Sequence, residues 1–161
     1  MNKLALVAAA LVAGTVASSN AAIVVYNFAL EGVQEVPSVV TTGSGSATVT
    51  LDTVSGAVTV SGTYQNMQGT VTASHIHGLA APGVNAGVIV TITHTGGTSG
   101  TLSANGILNA TQIQGMLDGL TYVNVHSTFK STGEIRGQVV PTPASLAMLG
   151  LGGLVAARRR R

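Results

Sequence analysis

The chain has 161 residues, room for one domain of ordinary size, and no cysteine, so no disulfide framework can substitute for a hydrophobic core. Its sequence pI of about 9.4 points towards nucleic acid or an anionic membrane, but five of its seven Lys and Arg residues lie at the ends: Lys3, Arg158, Arg159, Arg160 and Arg161. The body keeps Lys130 and Arg136 against Glu31, Glu35, Asp52, Asp118 and Glu134, two bases against five acids and hence −3, which excludes the electrostatic footprint of a nucleic-acid-binding domain.

Residues 1–22 read as a secretory signal peptide. Lys3 precedes an apolar run of about ten residues over 4–13, too short to span a bilayer, and small residues follow to an expected cleavage near Ala21 or Ala22. The body, residues 23–139, is rich in Val, Thr, Gly and Ser and alternates repeatedly. The runs are Val24-Tyr26-Phe28-Leu30, Ala47-Val49-Leu51, 57–60, Val71-Ala73-His75 and 88–92. Turn signals at 43–45, 52–56, 66–69, Pro82-Gly83 and Gly96-Gly97 divide them, and short strands at this spacing imply an antiparallel sandwich or barrel. One helix is expected over 112–117, capped by Asn109 or Thr111, with Ile113, Met116 and Leu117 inward and Gly119 ending it.

Within this body, His75-Ile76-His77 places two imidazoles on one face of a strand, a spacing at which both rings reach one zinc or copper ion. Residues 120–139 read as a β-hairpin whose register sets His126 opposite Glu134, Asn124 opposite Arg136 and Tyr122 opposite Gln138, all on one face. Val123, Val125, Ile135 and Val139 share the other face. His126 is then a third candidate ligand, with the Glu134 carboxylate beside it able to orient the ring, and His94 a weaker fourth. The alternative is a structural polar cluster of Tyr122, Asn124, Glu134, Arg136, Gln138 and Glu35 in which the histidines only satisfy hydrogen bonds. A small-sugar site is a third possibility, disfavoured by the scarcity of aromatic residues. Glu35 and Glu134 also form a conceivable carboxylate pair for glycoside hydrolysis; against it, Glu134 has a cross-strand partner and Glu35 is read as bonded to backbone or Arg136. No Ser-His-Asp ordering or nucleotide fingerprint is present.

The hairpin ends at Val140-Pro141-Thr142-Pro143, after which residues 144–157 are apolar apart from Ser145, and Arg158, Arg159, Arg160 and Arg161 close the chain. An apolar stretch with a terminal arginine cluster reads as a transmembrane segment whose basic end stays cytoplasmic. Residues 140–161 resemble the PEP-CTERM sorting signal of Gram-negative bacteria, with Pro141, Thr142 and Pro143 as its motif; Thr142 stands where that motif usually has Glu. The resemblance implies processing by an exosortase, a membrane cysteine protease-like enzyme of bacteria that make exopolysaccharide.

A second resemblance covers nearly all of the body. Gln34-Glu35-Val36-Pro37, Gly45-Ser46-Ala47-Thr48, His75-Ile76-His77-Gly78, Pro82-Gly83-Val84-Asn85, the 119–126 segment and Gly133-Glu134-Ile135-Arg136-Gly137-Gln138 together resemble the CHRD domain, named from chordin and recurrent in bacterial secreted proteins. Asn85-Ala86-Gly87 stands where that family commonly has Asn-Gly-Pro. The resemblance implies an all-β, antiparallel Greek-key β-sandwich, immunoglobulin-like or superoxide-dismutase-like, with one short helix. Superoxide dismutase itself uses more histidines, a bridging imidazole, an Asp on zinc and a disulfide; this chain has four histidines, no cysteine, and Asp52 and Asp118 far from them in sequence.

The expectation is therefore a non-enzymatic protein, exported by the secretion machinery and held transiently at the inner membrane. It then passes to the cell surface or extracellular matrix, with an adhesive, structural or ligand-binding role tied to exopolysaccharide and biofilm. The alternative is a copper or zinc protein built on His75, His77 and His126.

Overall fold

Wherever apolar side chains recur at every second position, the chain is extended, and in a computed structural model describing residues 22–140 these runs are antiparallel strands. They are β1 (Ile23–Glu31), β2 (Ser44–Asp52), β3 (Ala57–Gln65), β4 (Val71–Gly78), β5 (Val88–Thr91), β6 (Thr93–His94), β7 (Gly100–Ile107), β8 (Thr121–Ser127) and β9 (Ile135–Val139), with one helix, α1 (Ala110–Leu117). Apart from Ala22 and Val140, the expected signal peptide and sorting signal lie outside the described residues. No helix among the described residues is long and apolar enough to cross a membrane.

The strands form one nine-stranded sheet in the order β5-β4-β8-β9-β1-β2-β3-β7-β6. Of the sandwich or barrel that the strand spacing implies, the described residues form an antiparallel sheet nearly closed into a barrel. The two ends of the sheet meet at Ile92. β5 pairs with β4 and β6 with β7, yet only Ile92 separates β5 from β6, so one bent segment touches both ends of the sheet. Its N–H donates to the Ser74 carbonyl at 2.8 Å, its carbonyl accepts from Ser74 Oγ at 2.9 Å, and its side chain is buried in the core. Closure removes most of the free edge that an open sheet would expose.

The interior is aliphatic, with Tyr26 and Tyr64 as its buried aromatics. β7, which the sequence reading passes over, supplies Leu102 and Ala104 to it and pairs with β3 along its whole length. Ala104 and Gly106 carry little hydrophobic signal, so pairing with β3 makes this strand rather than its own pattern. Ser44 and Gly45, read as part of a turn, are already paired in β2. In α1, Asn109 and Gln112 form a capping box, Met116 is buried, Ile113 and Leu117 pack on the core, and Gly119 turns the chain with φ of 73°.

Two local features set up the functional face. A register shift between Val71 and Ala73 reverses the alternation of β4, so Val71, Ser74 and Ile76 are buried while His75 and His77 point to the other side. The expected common face for Val71, Ala73 and His75 is therefore broken by a bulge. β8 and β9 are buried on both faces: Val123, Val125, Ile135 and Val139 enter the core, and Tyr122, Asn124, Arg136 and Gln138 lie on the outer wall. Residues 32–43 and 79–87 supply the partners there, with Glu35 on Asn124 and both Val84 and Asn85 on Arg136.

Because the Ile92 side chain is buried in the core, Ile92→Ala will lower the free energy of unfolding by about 2–5 kcal/mol. Urea denaturation checks this; a loss below about 1 kcal/mol would show that packing around Ile92 contributes little.

Candidate metal centre

Period two places His75 and His77 on the outer wall of β4 while Ile76 enters the core. β8 runs antiparallel beside them, pairing His77 with Tyr122, His75 with Asn124 and Ala73 with His126, so His126 is the diagonal neighbour of His75. Ring centroids lie 5.4 Å apart for His75–His77, 5.1 Å for His75–His126 and 5.9 Å for His77–His126. One ring nitrogen from each lies within 4.8 Å of the others, and His75 Nδ1 is 3.2 Å from His126 Nε2. An ion about 2 Å from each of three nitrogens holds them roughly 3.3 Å apart, so small ring rotations complete the set.

The hydrogen bonds prepare these rings for that role. His77 Nδ1–H donates to the Ala86 carbonyl and His126 Nδ1–H to the Ser131 carbonyl, each at 2.9 Å. A carbonyl only accepts, so in the neutral rings both Nε2 atoms carry the lone pair. His77 Nε2 is buried and has no hydrogen-bond partner among the described residues. Without an ion, His75 Nδ1–H satisfies His126 Nε2; an ion takes that proton's place. Burial lowers the pKa of His75, helped by the neighbouring imidazoles, and burial likewise lowers that of His77 against the Ala86 bond. Both rings are thereby kept neutral, the form that ligates.

Behind the rings stands a polar layer. Tyr122 stacks on His77 at 4.9 Å with planes 4° apart, and the Arg136 guanidinium carbon is 3.4 Å from the centre of the Tyr122 ring. Arg136 is 1% exposed and donates to Asn85 Oδ1, the Val84 carbonyl and Gln138 Oε1. Gln138 Nε2 donates in turn to the Gly119 carbonyl. The Tyr122 hydroxyl accepts from Ala86 N–H at 3.0 Å, so one loop residue binds both Tyr122 and His77. Glu35 accepts from Asn124 Nδ2 through both carboxylate oxygens. Burial pushes its pKa up to about 7, against the opposing pull of Arg136 and of its hydrogen bonds.

Glu134 departs from expectation: it is not beside His126. Its carboxylate accepts from Thr41 Oγ1 at 2.6 Å, from Gln68 N–H at 2.7 Å and from Ser127 Oγ. Regular pairing stops at Val125 and Ile135, and Gly133 adopts φ of 130°, which breaks the alternation just before Glu134. A Cβ at Gly133 would collide with Asn124. Glu134 and Glu35 are therefore held by separate donor sets. His94 lies outside the three-histidine group, its Nδ1 3.3 Å from Ser74 Oγ. Asp52 caps a turn through Val54 N–H, and Asp118 accepts from Gln114. The carbonyls of Ala86 and Ser131, which orient two rings, were invisible in the sequence because any residue supplies a carbonyl.

These features define a mostly β protein with three convergent imidazoles on the outer wall of a nearly closed barrel. The family model for the CHRD domain matches residues 26–139, and the chain belongs to that family. No curated protein and no solved structure matches it.

Glu35 generates a pH prediction. The folded protein holds a proton between the ordinary carboxylate value of 4.5 and about 7 that the unfolded chain has lost, so Glu35's contribution to stability falls as pH rises across that window. His75 and His77 act in the opposite sense, and comparison with Glu35→Gln at each pH cancels them. The stability of Glu35→Gln relative to wild type will be greater at pH 8 than at pH 5; a difference independent of pH would contradict burial as the cause.

Proposed function

We propose that this CHRD-domain protein is exported and binds a copper or zinc ion through His75, His77 and His126, in a binding rather than catalytic capacity. One observation carries the proposal: three ring nitrogens converge within 4.8 Å while the Nδ1–H groups of His77 and His126 are tied to backbone carbonyls. A purely structural cluster satisfies its nitrogens internally, whereas His77 Nε2 is buried without a partner among the described residues. Imidazole donors suit copper and zinc, and the cysteine-free composition supplies no competing thiolate. The layer of Tyr122, Asn124, Arg136, Gln138 and Glu35 supports the site as scaffold. Superoxide dismutation is no part of the proposal, because the group includes no Asp.

The address is proposed on sequence grounds. Lys3 and the apolar run to residue 13 direct export, and Pro141, Thr142, Pro143 and the arginine tail act as a PEP-CTERM signal of a Gram-negative cell. Secretion machinery and exosortase are then the processing partners, with an intermediate held at the inner membrane. The mature protein resides at the cell surface or in an exopolysaccharide matrix, where a metal-loaded barrel serves a structural or adhesive role in biofilm.

Metal analysis of purified protein exposed to copper or zinc will find one ion per chain, and none in a His75→Ala/His77→Ala variant. At a free-ion concentration of 100 Kd the wild type will gain about 2.7 kcal/mol in stability. Absence of bound metal, with identical melts with and without the ion, would refute the centre. Fractionation of native cells tests the address: the full chain will be found in the envelope or medium, and a chain truncated after Val139 will no longer be retained by the membrane. A cytoplasmic full-length protein would overturn the assignment.

A further inference from the structure

We propose that the Arg136–Tyr122–His77 stack sets the ion preference of this centre, biasing it towards monovalent copper over divalent copper or zinc. The inference rests on the reading of His75, His77 and His126 as an ion site. Three neutral imidazoles bring no negative charge, and Glu134, the acid expected beside them, is turned to Thr41, Gln68 and Ser127. Arg136 is the cation of the polar layer behind the rings, with the Glu35 carboxylate as its opposing charge.

Arg136 is buried to 1% exposure yet keeps its proton, as guanidinium does in proteins. Its hydrogen bonds go to neutral acceptors, Asn85 Oδ1 and the Val84 carbonyl at 3.2 Å and Gln138 Oε1 at 3.1 Å, so among the described residues no direct carboxylate contact quenches it. β8 lies between β4 and β9, which places the Tyr122 ring between the guanidinium and His77. With 3.4 Å from guanidinium carbon to the Tyr122 centroid and 4.9 Å from there to His77, the positive charge is no more than about 8 Å from the ligand ring. In a partly buried setting, one extra unit of charge on an ion roughly 10 Å from a fixed cation costs on the order of a tenfold loss in affinity. Arg136 thus penalises a divalent ion more than a monovalent one.

Arg136 has a second effect that is blind to ionic charge. By holding Val84 and Asn85 it anchors the loop whose Ala86 carbonyl orients His77. Loss of that anchor weakens every ion alike, so the ratio of affinities reports the charge and absolute affinity reports the positioning. Glu35 offers a perturbation of opposite sign, since its carboxylate opposes the Arg136 charge.

The test uses the full chain at pH 8, where Glu35 is ionised, and measures Cu(I) and Zn(II) affinities by chelator competition and the copper midpoint potential by titration. Arg136→Gln will lower the Cu(I)-to-Zn(II) affinity ratio about tenfold and the potential by about 59 mV, the one-electron equivalent of tenfold. Arg136→Lys, which retains the charge, will keep both closer to wild type than Arg136→Gln does. Glu35→Gln will move both in the opposite direction, and it decides the matter by its sign if Arg136→Gln does not fold. An unchanged ratio and potential in metal-binding variants would overturn the tuning role while leaving the metal centre intact. A wild-type protein that binds neither ion would instead overturn the metal centre itself.

Discussion

Burial of both faces of the β8–β9 ladder is the constraint on which the rest of the structure depends. A hairpin in a barrel ordinarily shows one face to the core and the other to water. Here Val123, Val125, Ile135 and Val139 fill the core, while Tyr122, Asn124 and Arg136 on the opposite face are also shut away from solvent. A buried guanidinium and amide demand partners, and two loops supply them: Glu35 meets Asn124, and Val84 and Asn85 meet Arg136. The folding of those loops onto the wall is thus tied to satisfying a few polar atoms.

The histidine cluster is a consequence of this arrangement. The loop that receives Arg136 also carries Ala86, whose carbonyl orients His77 and whose N–H reaches the Tyr122 hydroxyl. Strand pairing brings His126 beside His75, and the end of the hairpin returns the Ser131 carbonyl to His126. The imidazoles are held by the same backbone that covers the polar face, so scaffold and site are one hydrogen-bonded unit. Glu134 also sits at the turn end of the hairpin, where it joins Thr41, Gln68 and Ser127 across three separate segments.

Much of this was legible in the residues. The alternation around Tyr122 and Arg136 specified the hairpin register, because a slip of one residue would have driven Val123 and Val125 out of the core. Asn109 and Gly119 marked the helix ends, although the helix begins at Ala110, two residues before the expected start, and His75-Ile76-His77 marked a pair of outward rings. Other features were not legible. β7 reads weakly because Ala104 and Gly106 have little side chain to reveal an inward face, and the bulge after Val71 changes parity without a residue that announces it. The His126–Glu134 pairing failed because Gly133 leaves the regular strand conformation one residue too early.

The sequence by itself determined most of the strands, the helix caps, the hairpin register and the three histidines, because these depend on side-chain periodicity and local backbone preference. Only the tertiary structure decided that one bent segment at Ile92 joins the ends of a single sheet, that Glu134 turns from the histidines, and that the Ala86 and Ser131 carbonyls aim two of the rings. Those outcomes depend on backbone groups, common to every residue type, meeting partners far away in the chain, and no local pattern encodes where they meet.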